Sequence, residues 1–354
     1  MPSDVKIAQP IIGEEEKAAV MEVLESGNIA QGEKVEEFEA AFAKYVGARH
    51  AIAVSSGTAA LHLALLANGV GPHTEVITTP FSFISTANAI LHCDATVKFG
   101  DVNPVSFNLT PESAEAQIGP STRAIMPVHL YGNPADLDAF RALGNKHGLM
   151  IIEDACQAVG AVYKGQKIGS INTTCFSFYP SKNMTTAEGG MVTTHDDAVA
   201  WNVRNMRQHG MGGKSVGFNY RLTDIQAAIG IEQLKKLDEF NSIRRKNAEM
   251  LTAGLSEIVI CPVGAEESTH CWHLYTIRLK RRRQTVLKAL HEAGIDARVY
   301  YEKPIHLCPP FNGKTISRPN AEKLSNNIIS LPVHPGVTEE NIATMIEVIT
   351  CALA

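Results

Sequence analysis

The chain has no surplus of positive charge: 32 lysines and arginines stand against 37 acids, a formal net charge of -5 over 354 residues. Nucleic acid and anionic membranes are held through a basic footprint, so general binding to either is not expected. The two basic runs, RRK at 244–246 and KRRR at 280–283, read as solvated surface. No uninterrupted apolar stretch approaches the roughly 18 residues needed to cross a bilayer. The opening MPSDVKIAQP has no basic segment leading into an apolar one, so no secretory leader is expected. Seven cysteines are scattered without a CxxC pair, and their odd number offers no disulfide framework. The expected setting is a reducing cytoplasm. The HCWH run at 270–273 is no exception: the strand-like LYTIRL after it would send His270 and Cys271 to opposite faces, and no further ligands stand nearby. No metal is expected, and no internal repeat or low-complexity tract is present.

What the sequence does have is an alternation of short apolar runs with amphipathic ones. Strands are expected at Ala51–Val54, Glu75–Thr78, Thr96–Phe99, Ala124–Pro127, Met150–Glu153, Thr174–Phe178 and Gly190–Thr194. Helices are expected at Glu14–Ser26, Lys34–Tyr45, Thr58–Asn68, Ser85–Leu91 and Asp136–His147. Continuous apolar strands separated by helices predict an α/β fold with a mostly parallel sheet sandwiched by helices. After residue 236 the texture changes. A long polar helix (Asp238–Leu255) leads to a strand-like segment at Cys271–Leu279, a helix at Gln284–Ala293, a strand at Ala297–Tyr301 and a final helix near Glu339–Ala352. The length suits about two domains. The expected division is a large α/β domain at 1–236, its first 13 or so residues an extended arm, and a smaller C-terminal α+β domain at 237–354.

Ligands of open parallel sheets bind at the carboxyl ends of the strands, so the residues there carry the functional reading. After AIAV comes Ser55-Ser56-Gly57-Thr58 running into a helix, which reads either as a plain N-cap or as an anion cradle. After EVIT comes TPFSF, whose Phe83 is either a core aromatic or a plate for a flat ring. After MII come Glu153 and Asp154. An acid ending a buried strand needs a partner, which could be a helix-type cap or a cationic ring nitrogen. FSFYPSKNMTTAEGG at 176–190 then places Ser177 and Lys182 between apolar residues and small, turn-forming ones. A partly desolvated lysine is a nucleophile toward carbonyls. Together these groups match what pyridoxal phosphate requires: a phosphate cup, a stacking ring, an acid for the pyridine nitrogen and a lysine for the aldehyde.

Several stretches in order carry a resemblance to a known family: GEKVEEF (32–38), AIAVSSGTAAL (51–61), PVHLYGNPADLD (127–138), IEDACQAVG (152–160), the 176–190 segment, NYRLTD (219–224) and Trp272-His273. Almost end to end, the chain resembles the DegT/DnrJ sugar aminotransferases of pyridoxal-phosphate fold type I. The resemblance implies that Lys182 is the Schiff-base lysine and proton carrier and that Asp154 partners the ring nitrogen. It places Gln157 over the ring near its phenolic oxygen and Phe83 stacked on it, and gives the phosphate cup to Gly57, Thr58 and Ser177. It implies that Asn219 reaches the phosphate of a neighbouring subunit, hence a homodimer with shared sites. Tyr179 stands where some members have histidine. The implied reaction moves an amino group, with L-glutamate as donor, to a keto sugar, most often attached to a nucleoside diphosphate. The sugar 3-dehydratases of the same fold carry histidine in place of the lysine, and desulfurases or aldolases lack the NYRLTD and Trp-His signatures. A binding protein that keeps the pocket without turnover is the rival from another class. Tyr300, Tyr301 and His306 are expected to help shape the sugar pocket, with a plain turn as the other reading of His306.

Overall fold

The structure, a computed structural model, describes residues 4–213, 216–311 and 316–354. Its strands in chain order are β1 (His50–Val54), β2 (Glu75–Thr78), β3 (Thr96–Phe99), β4 (Thr122–Met126), β5 (Met150–Asp154), β6 (Val162–Tyr163), β7 (Gln166–Lys167), β8 (Thr173–Ser177), β9 (Gly190–Thr194), β10 (Ser268–Thr269), β11 (Tyr275–Arg278) and β12 (Ile328–Leu331). Its helices are α1 (Glu14–Ser26), α2 (Glu33–Val46), α3 (Gly57–Ala67), α4 (Ser85–Leu91), α5 (Pro111–Glu115), α6 (Leu137–His147), α7 (Asp197–Arg207), α8 (Asp224–Leu255), α9 (Arg283–Glu292), α10 (Pro319–Asn327) and α11 (Glu339–Leu353). Seven strands form one sheet in the order β1-β9-β8-β5-β4-β2-β3. Within it β9 runs antiparallel to both its neighbours, while the other pairings are parallel.

Alternation along the strands explains why both faces are covered. In β1, Ile52 and Val54 join a core with α3 and α7, whereas Ala51 and Ala53 join a second core with α2 and the start of α8. In β8, Cys175 faces the first core and Phe176 the second. Helix α3 is apolar almost all round and buried along most of its length, as a helix packed between sheet and neighbours must be. A third core gathers the end of α8 with β11, β12, α9 and α11. Two capping arrangements fix the framework. Thr223 and Gln226 form a capping box at the start of α8. Asp224 of the NYRLTD run accepts from the backbone N–H groups of Gly32 (2.8 Å) and Val35 (3.0 Å), closing the N-terminus of α2.

Three expectations are corrected. Ala297–Tyr301 is not a strand: Arg298 makes a lone bridge to Ser330, and Tyr300 and Tyr301 turn away from it. The long polar helix begins at Asp224 rather than Asp238, because its first turns carry Ala227, Ile231 and Leu237 into the second core; residue 236 therefore lies inside a continuous helix. Arg244 is not solvated surface. It faces inward from α8, 4% exposed, and donates to the carbonyls of Trp272 and His273. Among the described residues no helix is long and apolar enough to cross a membrane.

Candidate active site

The carboxyl ends of β1, β2, β5 and β8 open onto one cavity of about 410 Å³. Gly57, Thr58, Phe83, Asp154, Gln157, Ser177 and Lys182 all line it, and Tyr179, Tyr300 and Tyr301 do so too. His306 does not. It is buried against Phe99, with Nε2 3.1 Å from Glu322 Oε1. Asn219 also lies outside this cavity: it is exposed and pairs with Gln208 in an isolated bridge.

The end of β1 is built for close approach. Ser56 caps α3 by accepting from the Ala59 N–H at 3.1 Å, which leaves the first N–H groups of that helix facing the cavity mouth. A Cβ on Gly57 would sit 2.7 Å from Ser177 Cβ and 3.1 Å from Cys156 Sγ, so no side chain fits there. One on Gly190 would sit 2.4 Å from the Ser56 carbonyl oxygen. The two glycines thus let β1, β8 and β9 draw together around the α3 terminus.

Asp154 ends β5 and is buried. Its Oδ2 accepts from Thr86 Oγ1 at 2.7 Å and its Oδ1 from the Cys156 N–H at 3.1 Å. Thr86 has spent its hydroxyl hydrogen on Asp154, so it accepts from Ser82 Oγ, 3.0 Å away. Both donors to Asp154 are neutral, and among the described residues no lysine, arginine or histidine pairs with it. A buried carboxylate in that state still wants a positive partner. Gln157 is fixed at both ends of its amide: Oε1 accepts from the Tyr131 N–H at 2.8 Å, and Nε2 donates to Tyr301 Oη at 2.9 Å.

Lys182 follows β8 on a turn closed by its own N–H donating to the Tyr179 carbonyl at 2.8 Å. Its desolvation in the cavity wall pushes the ammonium below the ordinary lysine range, against the opposing pull of Cys156 and Asp154. The group is therefore closer to a free amine than a surface lysine. Phe83 is 56% exposed at the cavity, whereas Phe81 is the core aromatic of the TPFSF run. The Phe83 ring lies 6.5 Å from that of Tyr301.

Sequence reasoning passed over several residues that the fold brings here. Thr86 is one; its four-residue spacing from Ser82 on the approach to α4 is the signal that places both on one side. Cys156, Glu188 and His273 also line the cavity, as do Ile7 and Ala8 from the N-terminal segment. Nothing local marks the last two, which arrive because Val5 pairs with Ile295 and carries the chain across the site.

Residues 10–350 match the DegT/DnrJ/EryC1/StrS aminotransferase family. The spore coat polysaccharide biosynthesis protein SpsC of Bacillus subtilis (strain 168) is 39% identical over 96% of this chain and 95% of its own length. GDP-perosamine synthase of Caulobacter vibrioides is 41% identical over 97% of this chain and 96% of its own. Among solved structures, S. venezuelae DesV in complex with a ketimine intermediate superposes with a TM-score of 0.93 at 38% identity, covering 96% of this chain and 95% of that one. With matches of this extent, the chain belongs to the DegT/DnrJ/EryC1/StrS aminotransferase family.

Proposed function

We propose that this chain is a pyridoxal-phosphate-dependent sugar aminotransferase that takes an amino group from L-glutamate and gives it to a nucleotide-linked keto sugar. The observation that carries the reading is that one cavity holds a buried carboxylate, Asp154, whose hydrogen-bond donors among the described residues are both neutral, and a desolvated amine, Lys182. The residues present fit the cofactor. Asp154 has room in its hydrogen bonding for a protonated ring nitrogen, the Gly57 position leaves no side chain over the α3 terminus, and Lys182 suits an aldehyde.

When bound, pyridoxal phosphate supplies an electrophilic carbonyl and a protonated ring that takes up the charge of a carbanion. The N–H groups of Gly57 and Thr58 and the Ser177 hydroxyl would hold its phosphate at the α3 terminus. Asp154, oriented by Thr86 and the Cys156 N–H, would keep the ring nitrogen protonated. Gln157, locked by Tyr131 and Tyr301, would meet the ring oxygen, and Phe83 would cover a ring face. Lys182 would hold the aldehyde covalently at rest. Released by the donor, its Nζ would take the proton from the donor's α-carbon and return it on the cofactor side. The lowered basicity of Lys182 keeps a share of it unprotonated for that task.

The site reads as shared between two copies. Asn219 stands exposed outside its own cavity, on a segment whose Met211 and Val216 are 74% and 85% exposed. Exposed apolar residues beside a polar group are suited to cover by a second copy, which would bring Asn219 to that copy's phosphate cup. The seven free cysteines suit a reducing cytoplasm. A sugar dehydratase of the same fold is the second reading, which Lys182 disfavours. The test is a panel of nucleotide-linked keto sugars with glutamate, read by mass spectrometry. Replacement of a ketone by an amine together with 2-oxoglutarate supports the assignment, and loss of a hydroxyl without amine transfer contradicts it.

A further inference from the structure

Asn183 directly follows Lys182, is buried, and does not itself line the cavity. Its Nδ2 donates to the Cys271 carbonyl at 2.8 Å and to Asn241 Oδ1 at 2.7 Å, which uses both amide hydrogens. Asn241, buried on α8, donates in turn from Nδ2 to the Val159 carbonyl at 3.2 Å. A backbone carbonyl only accepts. Cys271 and Val159 therefore each fix which end of an amide faces them, and the bond between the two asparagines has one sense. Asn183 Oδ1 is left to accept from His273 Nδ1, 3.3 Å away.

Both donor branches lead back to one run of chain. The Asn241 branch ends on Val159, where α8 packs so closely that a Cβ on Gly160 would stand 2.4 Å from Asn241 Nδ2. The Cys271 branch ends on Gln157, whose carbonyl accepts from the Cys271 thiol at 3.5 Å; the Cys271 N–H is held by the Gly132 carbonyl at 3.0 Å. Val159 and Gln157 belong to the IEDACQAVG run that also carries Asp154. Among the described residues Lys182 Nζ makes no hydrogen bond or ion pair, so the backbone beneath it sets where the amine starts from. That backbone is held on both sides: the Lys182 N–H donates to the Tyr179 carbonyl, and the Asn183 amide anchors the next residue.

We propose that Asn183 is a positioning residue for Lys182: its amide ties the lysine turn to the run carrying Asp154 and Gln157, so that the amine keeps one spacing from both. The inference rests on the reading of Lys182 given above. A lysine that holds an aldehyde at rest and later carries a proton has to work from one fixed point. A misplacement of about 1 Å costs on the order of 10²-fold in rate. The flexible lysine stem supplies no such constancy. A buried amide one residue away, with every hydrogen spent on distant segments, does.

Two measurements test it against a matched control. Asn247 is buried on the same helix and donates to the carbonyls of Val333 (3.3 Å) and His334 (3.4 Å), so Asn247→Ala deletes bonds of the same kind away from the lysine turn. In cofactor-free protein labelled with carbon-13 at lysine Cε, NMR identifies Lys182 by the resonance lost in Lys182→Met. Its titration midpoint should rise by about one unit in Asn183→Ala, as the turn loosens and water reaches the amine, and stay at the wild-type value in Asn247→Ala. In the reconstituted enzyme, Asn183→Ala should slow the single-turnover reaction with glutamate by about 10- to 100-fold, with little change in glutamate affinity. Asn241→Ala, which frees one of the two Asn183 hydrogens, should go part of the way. The double variant should be no slower than Asn183→Ala alone. A wild-type titration or a wild-type rate in Asn183→Ala would overturn the proposal, as would equal losses in Asn247→Ala. If Asn183→Ala does not fold, the same two readings on Asn241→Ala decide. A wild-type enzyme that ignores glutamate would instead defeat the aminotransferase reading and leave the titration to decide the positioning.

Discussion

Gln157 Nε2 donates to Tyr301 Oη at 2.9 Å, joining the residue group after β5 to a turn 144 positions further along the chain. Tyr131 completes the linkage: its N–H holds the other end of the Gln157 amide, and its hydroxyl donates to the Tyr300 carbonyl. Gln157 is thereby presented in one orientation by two distant segments. Tyr301→Phe removes the acceptor and leaves a buried N–H without a partner, a loss of about 1–3 kcal/mol. Weaker cofactor affinity and a lower melting temperature are expected, read by cofactor titration and thermal unfolding. Unchanged values for both would contradict the linkage.

Asp154 depends on Thr86 in the same manner. Thr86→Val keeps the shape and deletes the donor to Oδ2. The carboxylate should lose part of its orientation, and transamination should fall severalfold. Asp154→Asn should do far more, about a hundredfold or beyond, because the ring nitrogen loses its charge partner. Steady-state kinetics of the two variants, ranked in that order, checks the dependence.

The proposed phosphate cradle makes a steric prediction. Gly57→Ala forces a Cβ to within 2.7 Å of Ser177 Cβ. Overpacking of this kind costs about 1–3 kcal/mol, and here it also closes the space above the α3 terminus. Cofactor affinity should drop more than stability does, which titration alongside chemical unfolding would reveal.

Buried imidazoles set an acid limit. Burial lowers His270 to about 3 and His334 to about 4, and pushes His273 down as well. In the unfolded chain these groups titrate near the ordinary 6.5, so below that pH the unfolded state binds more protons than the folded one. Stability should therefore fall as pH drops from about 6.5 toward 4, by up to about 1.4 kcal/mol per unit for each such group. His334 accepts from the Gly336 N–H at Nδ1 and donates from Nε2 to the Lys6 carbonyl, so its protonation costs the first bond and leaves the second in place. His334→Gln should flatten the pH profile of unfolding in that window. A profile unaffected by it would exclude this histidine as a contributor.

The proposed sharing of sites between two copies predicts complementation. Lys182→Ala and Asn219→Ala homodimers should each be weak or inactive, while a mixture allowed to exchange subunits should regain part of the activity. One site in the mixed dimer then has an intact lysine together with an intact asparagine from its neighbour. No recovery in a verified mixed dimer would place Asn219 outside the partner's site.

Much of this was legible in the sequence for a local reason. The strands β1, β2, β5 and β8 are short apolar runs, and the residues that follow each one are fixed by chain connectivity to one edge of the sheet. Gly57, Asp154, Ser177 and Lys182 could be grouped on that ground alone. What escaped was set by tertiary packing. Thr86 reaches Asp154 across 68 positions, and His273 joins Lys182 in lining the cavity on a turn that Arg244, read as surface, turns inward to clamp. Ile7 and Ala8 enter through distant contacts of the N-terminal segment: the bridge from Val5 to Ile295, the Ile7 N–H donating to Asp296, and the Lys6 carbonyl accepting from His334. His306 went astray for the opposite reason: it neighbours the two cavity tyrosines in sequence, but a hydrogen bond to Glu322 holds it on the Phe99 side.

The most direct measurement is the visible spectrum of the purified protein with pyridoxal phosphate, before and after L-glutamate, beside Lys182→Ala. The account predicts a band from lysine-held cofactor in the wild type that glutamate shifts to the shorter-wavelength amine form, and no such band in the variant. An identical band in Lys182→Ala, or a wild-type band that glutamate leaves in place, would contradict it.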